Sequence, residues 1–239
     1  SGSARNERTM RGCRHSLLLA TLLMAGSWAL SCSQRKPQPL RVCLTVEPSP
    51  LTYVCGYAPR FQALMQHLEK EGDHVELVTT EVVVPDPPKR WNNIPVHYTQ
   101  GFRFVGYPLM SMSCDWTFRL FRVIRKMRPN IIHASSPGFQ AILALLWSRM
   151  LQVPILTSYH THFPVYARTY LRPAFLGRMA EWLGTFIVAR SNNSLIRFLG
   201  WQFIRIFLSL SDLNVVTSPQ ILEEFQQHGV PKCQVWQKG

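Results

Sequence analysis

The sequence predicts an α/β protein, a Rossmann-like parallel sheet with helices on both faces. Three observations lead there. Short runs rich in β-branched residues alternate with helix-length stretches whose apolar residues recur at spacings of three and four. Two central runs, 130–134 and 153–158, bracket an almost wholly apolar stretch at 139–151, the pattern of buried parallel strands joined by a covering helix. Both runs end in polar residues: Ser135 and Ser136 after the first, His160 and His162 after the second. In open α/β sheets ligands bind outside the carboxyl ends of the strands, so His133, Ser135, Ser136, His160 and His162 are expected beside one crevice.

Residues 1–39 read as a targeting segment and linker. Met10 is followed by Arg11 and Arg14, then by an apolar run with small residues at 16–30, a signal-peptide pattern too short for a comfortable span. Lys36-Pro37-Gln38-Pro39 is the linker, and 40–239 is the body.

The first strand is expected at 40–47, followed by a loop to Gly56. A helix opens at Tyr57 or Ala58, with Phe61, Leu64, Met65 and Leu68 on one face, and Gly72 closes it before a second strand at 74–80. This β-α-β opening lacks the glycine-rich fingerprint of dinucleotide sites. A Pro-rich loop spans 81–93, and one or two short strands fall within 96–105. Asp115 is placed to cap a helix whose Trp116, Leu120, Ile124 and Met127 form an apolar stripe. Arg119, Arg122 and Arg125 share another face, either solvated or set against an anionic membrane. Ser136 is the expected N-cap of the 139–151 helix, with Pro137 in its first turn. Beyond Tyr166 the chain turns apolar and basic, with a polar break at 190–194 and a second apolar run at 196–210. A strand at 213–217, a helix at 219–227 and a strand at 234–236 complete the pattern.

The net charge is +13. Six basic residues against Glu7 place +5 of this within residues 1–40. The basic body carries no RNA-binding signature or zinc-finger spacing, so no nucleic-acid partner is expected, and a membrane surface or anionic substrate takes its place. Six cysteines without a C-x-x-C pair argue for free thiols in a reduced compartment. His160-x-His162 has no clustered carboxylates beside it, so no metal is expected. Ser135 and Ser136 lack the G-x-S-x-G elbow of serine hydrolases and read as a phosphate- or sugar-binding turn, or as a cap.

Four stretches carry a resemblance: RPNIIHASSPG at 128–138, VPILTSYHTHFPVY at 153–166, VEPSP…YVCGY…RFQ at 46–62, and VWQKG at 235–239. In this order they resemble the retaining glycosyltransferases of the GT-B fold, and within them the sulfoquinovosyltransferases of sulfolipid synthesis. The resemblance implies the N-terminal, acceptor-side half of such an enzyme. It implies transfer of sulfoquinovose from UDP-sulfoquinovose to diacylglycerol at a membrane surface, with the nucleotide sugar as substrate and no cofactor. It places His160 against the donor sugar near its outer hydroxyls, as the catalytic candidate. Gly56, Tyr57, Ser135, Ser136 and Lys238 fall on the donor and phosphate side, and Tyr159, His162 and Tyr166 on the acceptor side. In that family a second Rossmann-like domain holds most of the nucleotide, and this chain is expected to lack it. Plastid membrane is the implied location, with a bacterial or secretory membrane as the alternative. The alternatives in function are a non-catalytic membrane-binding fragment, or a mannosyl- or glucosyltransferase of the same fold acting on another lipid. The stretch 183–208 is longer than the family pattern.

Overall fold

A computed structural model describes residues 38–104, 107–136, 138–162 and 193–236. Its strands are β1 (Arg41–Val46), β2 (His74–Thr80), β3 (Arg90–Trp91), β4 (Ile94–Thr99), β5 (Gly101–Phe104), β6 (Tyr107–Ser113), β7 (Ile131–Ser136), β8 (Ile155–Tyr159), β9 (Leu213–Val216) and β10 (Cys233–Val235). Eight of them form one sheet in the order β10-β9-β8-β7-β1-β2-β4-β3, parallel except for the β3–β4 pair. β5 and β6 make a separate antiparallel pair. The predicted parallel Rossmann-like sheet is thus the observed one. The chain leaves β1 toward β2 on one side and later returns as β7 on the other, so the topological switch point lies between β1 and β7.

Both sheet faces are covered, as predicted. On one face Val42, Leu44, Val46 and Leu77 pack against Phe61 and Met65 of α1 (Ala58–Lys70). Phe61 and Met65 are fully buried, which contributes about 2 kcal/mol each to holding α1 on the sheet. Pro59 sits in its first turn, and Gly72 follows its end at φ +87, where a side chain would be strained. On the opposite face Cys43, Ile132, Ala134, Ile155 and Tyr159 pack against four helices. These are α2 (Arg119–Met127), α3 (Phe139–Leu151), α4 (Asn193–Ser209) and α5 (Pro219–Gln227).

Helix starts differ from expectation in two places. Asp115 does cap α2, accepting from the Arg119 and Leu120 amides at 2.9 and 2.8 Å, but the helix begins three residues later than Trp116. Trp116 is therefore outside the buried stripe and 65% exposed, and Val123 takes its place beside Leu120, Ile124 and Met127. In α3 the N-cap is Gly138, not Ser136, because β7 stays extended through Ser136. The apolar run after 196 is a helix, α4. It buries Trp201, Ile204, Phe207 and Leu208 and leaves Leu199, Phe203 and Ile206 exposed. Among the described residues no helix is long and apolar enough to cross a membrane.

Candidate active site

Side chains of a strand alternate between faces, and that alternation brings His133 and His160 together. His133 of β7 and His160, just past β8, lie on the α1 face. The Phe61 ring sits 5.5 Å from His133 and 5.1 Å from His160. Between the two imidazoles lies the Ser158 hydroxyl, 2.8 Å from His133 Nε2 and 2.9 Å from His160 Nε2. A serine has one hydroxyl proton, so Ser158 donates to one Nε2 and accepts from the other. The two histidines therefore carry opposite tautomers. Burial pushes His133 down to about 3, helped by His160. It pushes His160 down to about 4, helped by the Arg60 charge. Both rings are neutral at physiological pH.

His160 also forms part of the rim. Tyr57 lies 5.6 Å and Trp236 5.8 Å from it, ring to ring. The Arg60 guanidinium sits 5.6 Å from the centre of the Trp236 ring. An aromatic cluster, with Arg60 as its cation among the described residues, thus stands at the carboxyl ends of β7, β8 and β10, beside the first turn of α1.

A second feature marks the switch point. Glu47, directly after β1, is buried. Its Oε2 accepts from the Gln140 amide in the first turn of α3 at 2.7 Å, and its Oε1 from the Ser113 amide at the end of β6. A Cβ on Gly138 would stand 2.7 Å from Glu47 Oε2, so glycine there leaves room for the carboxyl. Burial raises the Glu47 carboxyl to about 7, against the opposing pull of the two amides. A side chain distant in sequence thus does the capping that a local serine was expected to do. It occupies one of the amides at the start of α3. Ser135 itself is buried in the strand.

Other sequence-derived candidates are distributed as follows. Tyr57 is the N-cap residue of α1, and its hydroxyl donates to the Pro48 carbonyl at 3.3 Å. A Cβ on Gly56 would meet nothing within 4 Å, so neither packing nor a left-handed φ demands glycine at this exposed turn. Tyr159 is 1% exposed with its ring 4.8 Å from Phe225, which makes it a core residue of the opposite face rather than a wall of the crevice. His162 also parts from His160: its Nε2 lies 2.6 Å from Glu224 Oε2 of α5, and its ring stands edge-on to Trp201. Tyr166 and Lys238 lie outside the described residues. Among the described residues no three His, Cys, Asp or Glu side chains converge as a metal site. Cys43, Cys55, Cys114 and Cys233 are free thiols.

Sequence reasoning missed Glu47, Arg60 and Ser158. An acidic residue ending an otherwise apolar strand was the available sign for Glu47. Arg60 had no periodic signal, and Ser158 looked like any polar strand end.

The family model for Glycosyltransferase Family 4 matches residues 56–239. A sulfoquinovosyl transferase of Arabidopsis thaliana is 34% identical over 205 residues, covering 84% of this chain and 36% of that protein. A GDP-mannose-dependent alpha-mannosyltransferase of Mycobacterium tuberculosis is 25% identical over 207 residues, covering 84% of this chain and 47% of that protein. The chain thus spans about a third to a half of the length of these relatives. A crystal structure from Glycyrrhiza uralensis, in complex with glycyrrhetinic acid 3-O-monoglucuronide, aligns with 84% of this chain and 49% of its own, with 13% identity and a TM-score of 0.44.

Proposed function

Because the chain belongs to Glycosyltransferase Family 4, we propose that it is the acceptor-side half of a hexosyltransferase that moves sulfoquinovose from UDP-sulfoquinovose to diacylglycerol. The observation that carries the reading is the crevice at the carboxyl ends of β7 and β8, where neutral His160 stands between Tyr57 and Trp236 with Arg60 beside it. In the transfer the bond from the sugar's anomeric carbon to the diphosphate oxygen breaks, a bond to the acceptor oxygen forms, and the acceptor hydroxyl's proton passes to the leaving diphosphate. His160 supplies a hydrogen bond to a sugar hydroxyl, and Tyr57 and Trp236 form apolar walls along the ring. The open turn at Gly56 and Tyr57 faces the leaving diphosphate, and a second α/β domain holds the nucleotide. The donor is a substrate, and no cofactor takes part.

The choice of sulfoquinovose rests on the 34%-identical relative and the motifs HASSPG and SYHTHFPVY. The test is a transfer assay on the longer enzyme containing this chain, with diacylglycerol vesicles and a panel of UDP-sulfoquinovose, UDP-glucose and GDP-mannose. We expect product from UDP-sulfoquinovose at least tenfold faster than from the others. Transfer from GDP-mannose alone would replace the sugar while keeping the reaction class.

Diacylglycerol is insoluble, so the enzyme works at a bilayer surface, in a plastid membrane on this reading. Arg119, Arg122 and Arg125 are exposed on α2, and each cation near anionic lipid contributes about 1 kcal/mol. Changing all three to Glu is expected to weaken sedimentation of the chain with anionic vesicles by about tenfold or more at low salt, with the difference fading at high salt. Equal sedimentation at low salt would remove α2 from the contact.

A further inference from the structure

Resting on the reading that His160 meets the donor sugar, we infer that Arg60, held over Trp236, is an oxyanion subsite for that sugar's sulfonate and so separates sulfonated from neutral hexoses. Arg60 carries a charge with no carboxylate paired to it among the described residues. Arg60 is half-buried in the first turn of α1. Among the described residues the ion pairs are His74–Glu76, His97–Glu76, Arg149–Asp212 and His162–Glu224, and none involves Arg60. The buried acid nearest the switch point, Glu47, is committed to the Ser113 and Gln140 amides. A cation among rings, with no carboxylate paired to it among the described residues, is an arrangement that an anionic ligand completes.

Geometry then selects the part of the ligand. The guanidinium lies 5.6 Å from the Trp236 ring centre, and Trp236 lies 5.8 Å from His160. Arg60 is close enough to His160 for its charge to disfavour a second positive charge there. On this proposal the sulfonate extends from the His160 side of the sugar toward Arg60. A sulfonate is permanently ionised and offers three oxygens to the planar fork of donors that a guanidinium presents. Trp236 covers one side of that fork, which orients it and limits its hydration. A neutral hexose has a hydroxyl in place of the sulfonate and leaves the cation unpaired, so the site penalises it. The same fork would also suit an oxygen of the donor diphosphate, and the experiment separates the two.

The probes are methyl α-sulfoquinovoside, methyl α-glucoside and inorganic pyrophosphate, titrated into the chain itself. Affinity is followed through the carbon-bound protons of His160 by NMR. We expect the sulfonated sugar to bind at least tenfold more tightly than the glucoside. Arg60→Met should abolish that preference while leaving the glucoside within about twofold, and Arg60→Lys should keep part of it. Arg60→Gln is a second neutral variant should Met disturb folding, with circular dichroism as the control. A preference that survives the neutral variants overturns the subsite. So does a neutral variant that weakens pyrophosphate tenfold with the sugar preference intact, which would assign Arg60 to the diphosphate. If neither sugar moves the His160 signals, the donor-sugar reading of His160 fails first and the subsite falls with it. If both sugars move them equally in the unmodified chain, only the subsite fails.

Discussion

Replacing His160 by alanine, in an enzyme carrying this chain with the remaining length of its relatives, lowers turnover at least tenfold and leaves the fold intact. The ring is neutral, since burial and Arg60 hold it down to about 4, so its contribution is a hydrogen bond rather than a charge. Such a bond to a sugar hydroxyl, strengthened in the transition state, is worth on the order of 1–3 kcal/mol, about ten- to a hundredfold in rate. His160 is half-buried at the crevice edge, so removing it opens no large core cavity. Ser158→Ala is expected to fall between wild type and His160→Ala, because the ring stays but loses the bond that fixes its tautomer. His162→Ala acts differently. It removes the 2.6 Å contact with Glu224 on the other side of the sheet and should lower stability more than turnover. Steady-state kinetics on the three variants, with thermal unfolding beside them, decide the matter. A well-folded His162→Ala variant slower than His160→Ala would mean the wrong histidine was chosen. Full activity in both would place the sugar elsewhere.

The parts legible in the sequence were those with short-range causes. β1, β2 and α1 could be read because β-branched runs and a 3.6-residue stripe are local patterns, and their bounds fell within about a residue. The crevice at the strand ends followed from the parallel topology. The division of the two histidines had no such local basis: residues two apart share a face along an extended chain, and His162 meets Glu224 and Trp201 because β8 ends at Tyr159 and the chain bends at Thr161. Tyr159 shows the limit. Its place in the SYHTHFPVY motif suggested an acceptor-side wall, yet strand parity sends it to Phe225 in the core. The failures share a cause. Asp115 caps α2 from four and five residues away, as expected, whereas Glu47 caps α3 from 93 residues away. No local propensity encodes the second. Ser136 looked like a cap because serine before a Pro-Gly turn usually is one, and the tertiary contact displaced it. Arg60 was invisible for the same reason, since its meaning depends on Trp236 and His160, which only the folded sheet brings near.

Glu47→Ala should destabilise the chain by roughly 2–5 kcal/mol, because it leaves the Ser113 and Gln140 amides buried without an acceptor and opens a gap beside Gly138. The more discriminating variant is Glu47→Gln, compared with wild type as pH changes. Burial raises the folded-state value of Glu47 to about 7, from an ordinary value of 4.5. The folded state therefore binds the proton more tightly than the unfolded one. The resulting stabilisation is fully present below the unfolded value and is lost as pH rises through the window from 4.5 to about 7. A shift of that size corresponds to about 3 kcal/mol across the window. In urea unfolding, the stability of wild type relative to Glu47→Gln should fall between pH 5 and pH 7 and level off above pH 8, since glutamine does not titrate. The opposite slope is also physically meaningful. An ionised carboxylate is favoured by two backbone donors and by the positive end of α3. Were those effects larger than the desolvation of the buried site, the wild-type advantage would grow with pH. That outcome would make Glu47 a permanent anion at the helix N-terminus and would reverse the assignment of its proton at neutral pH.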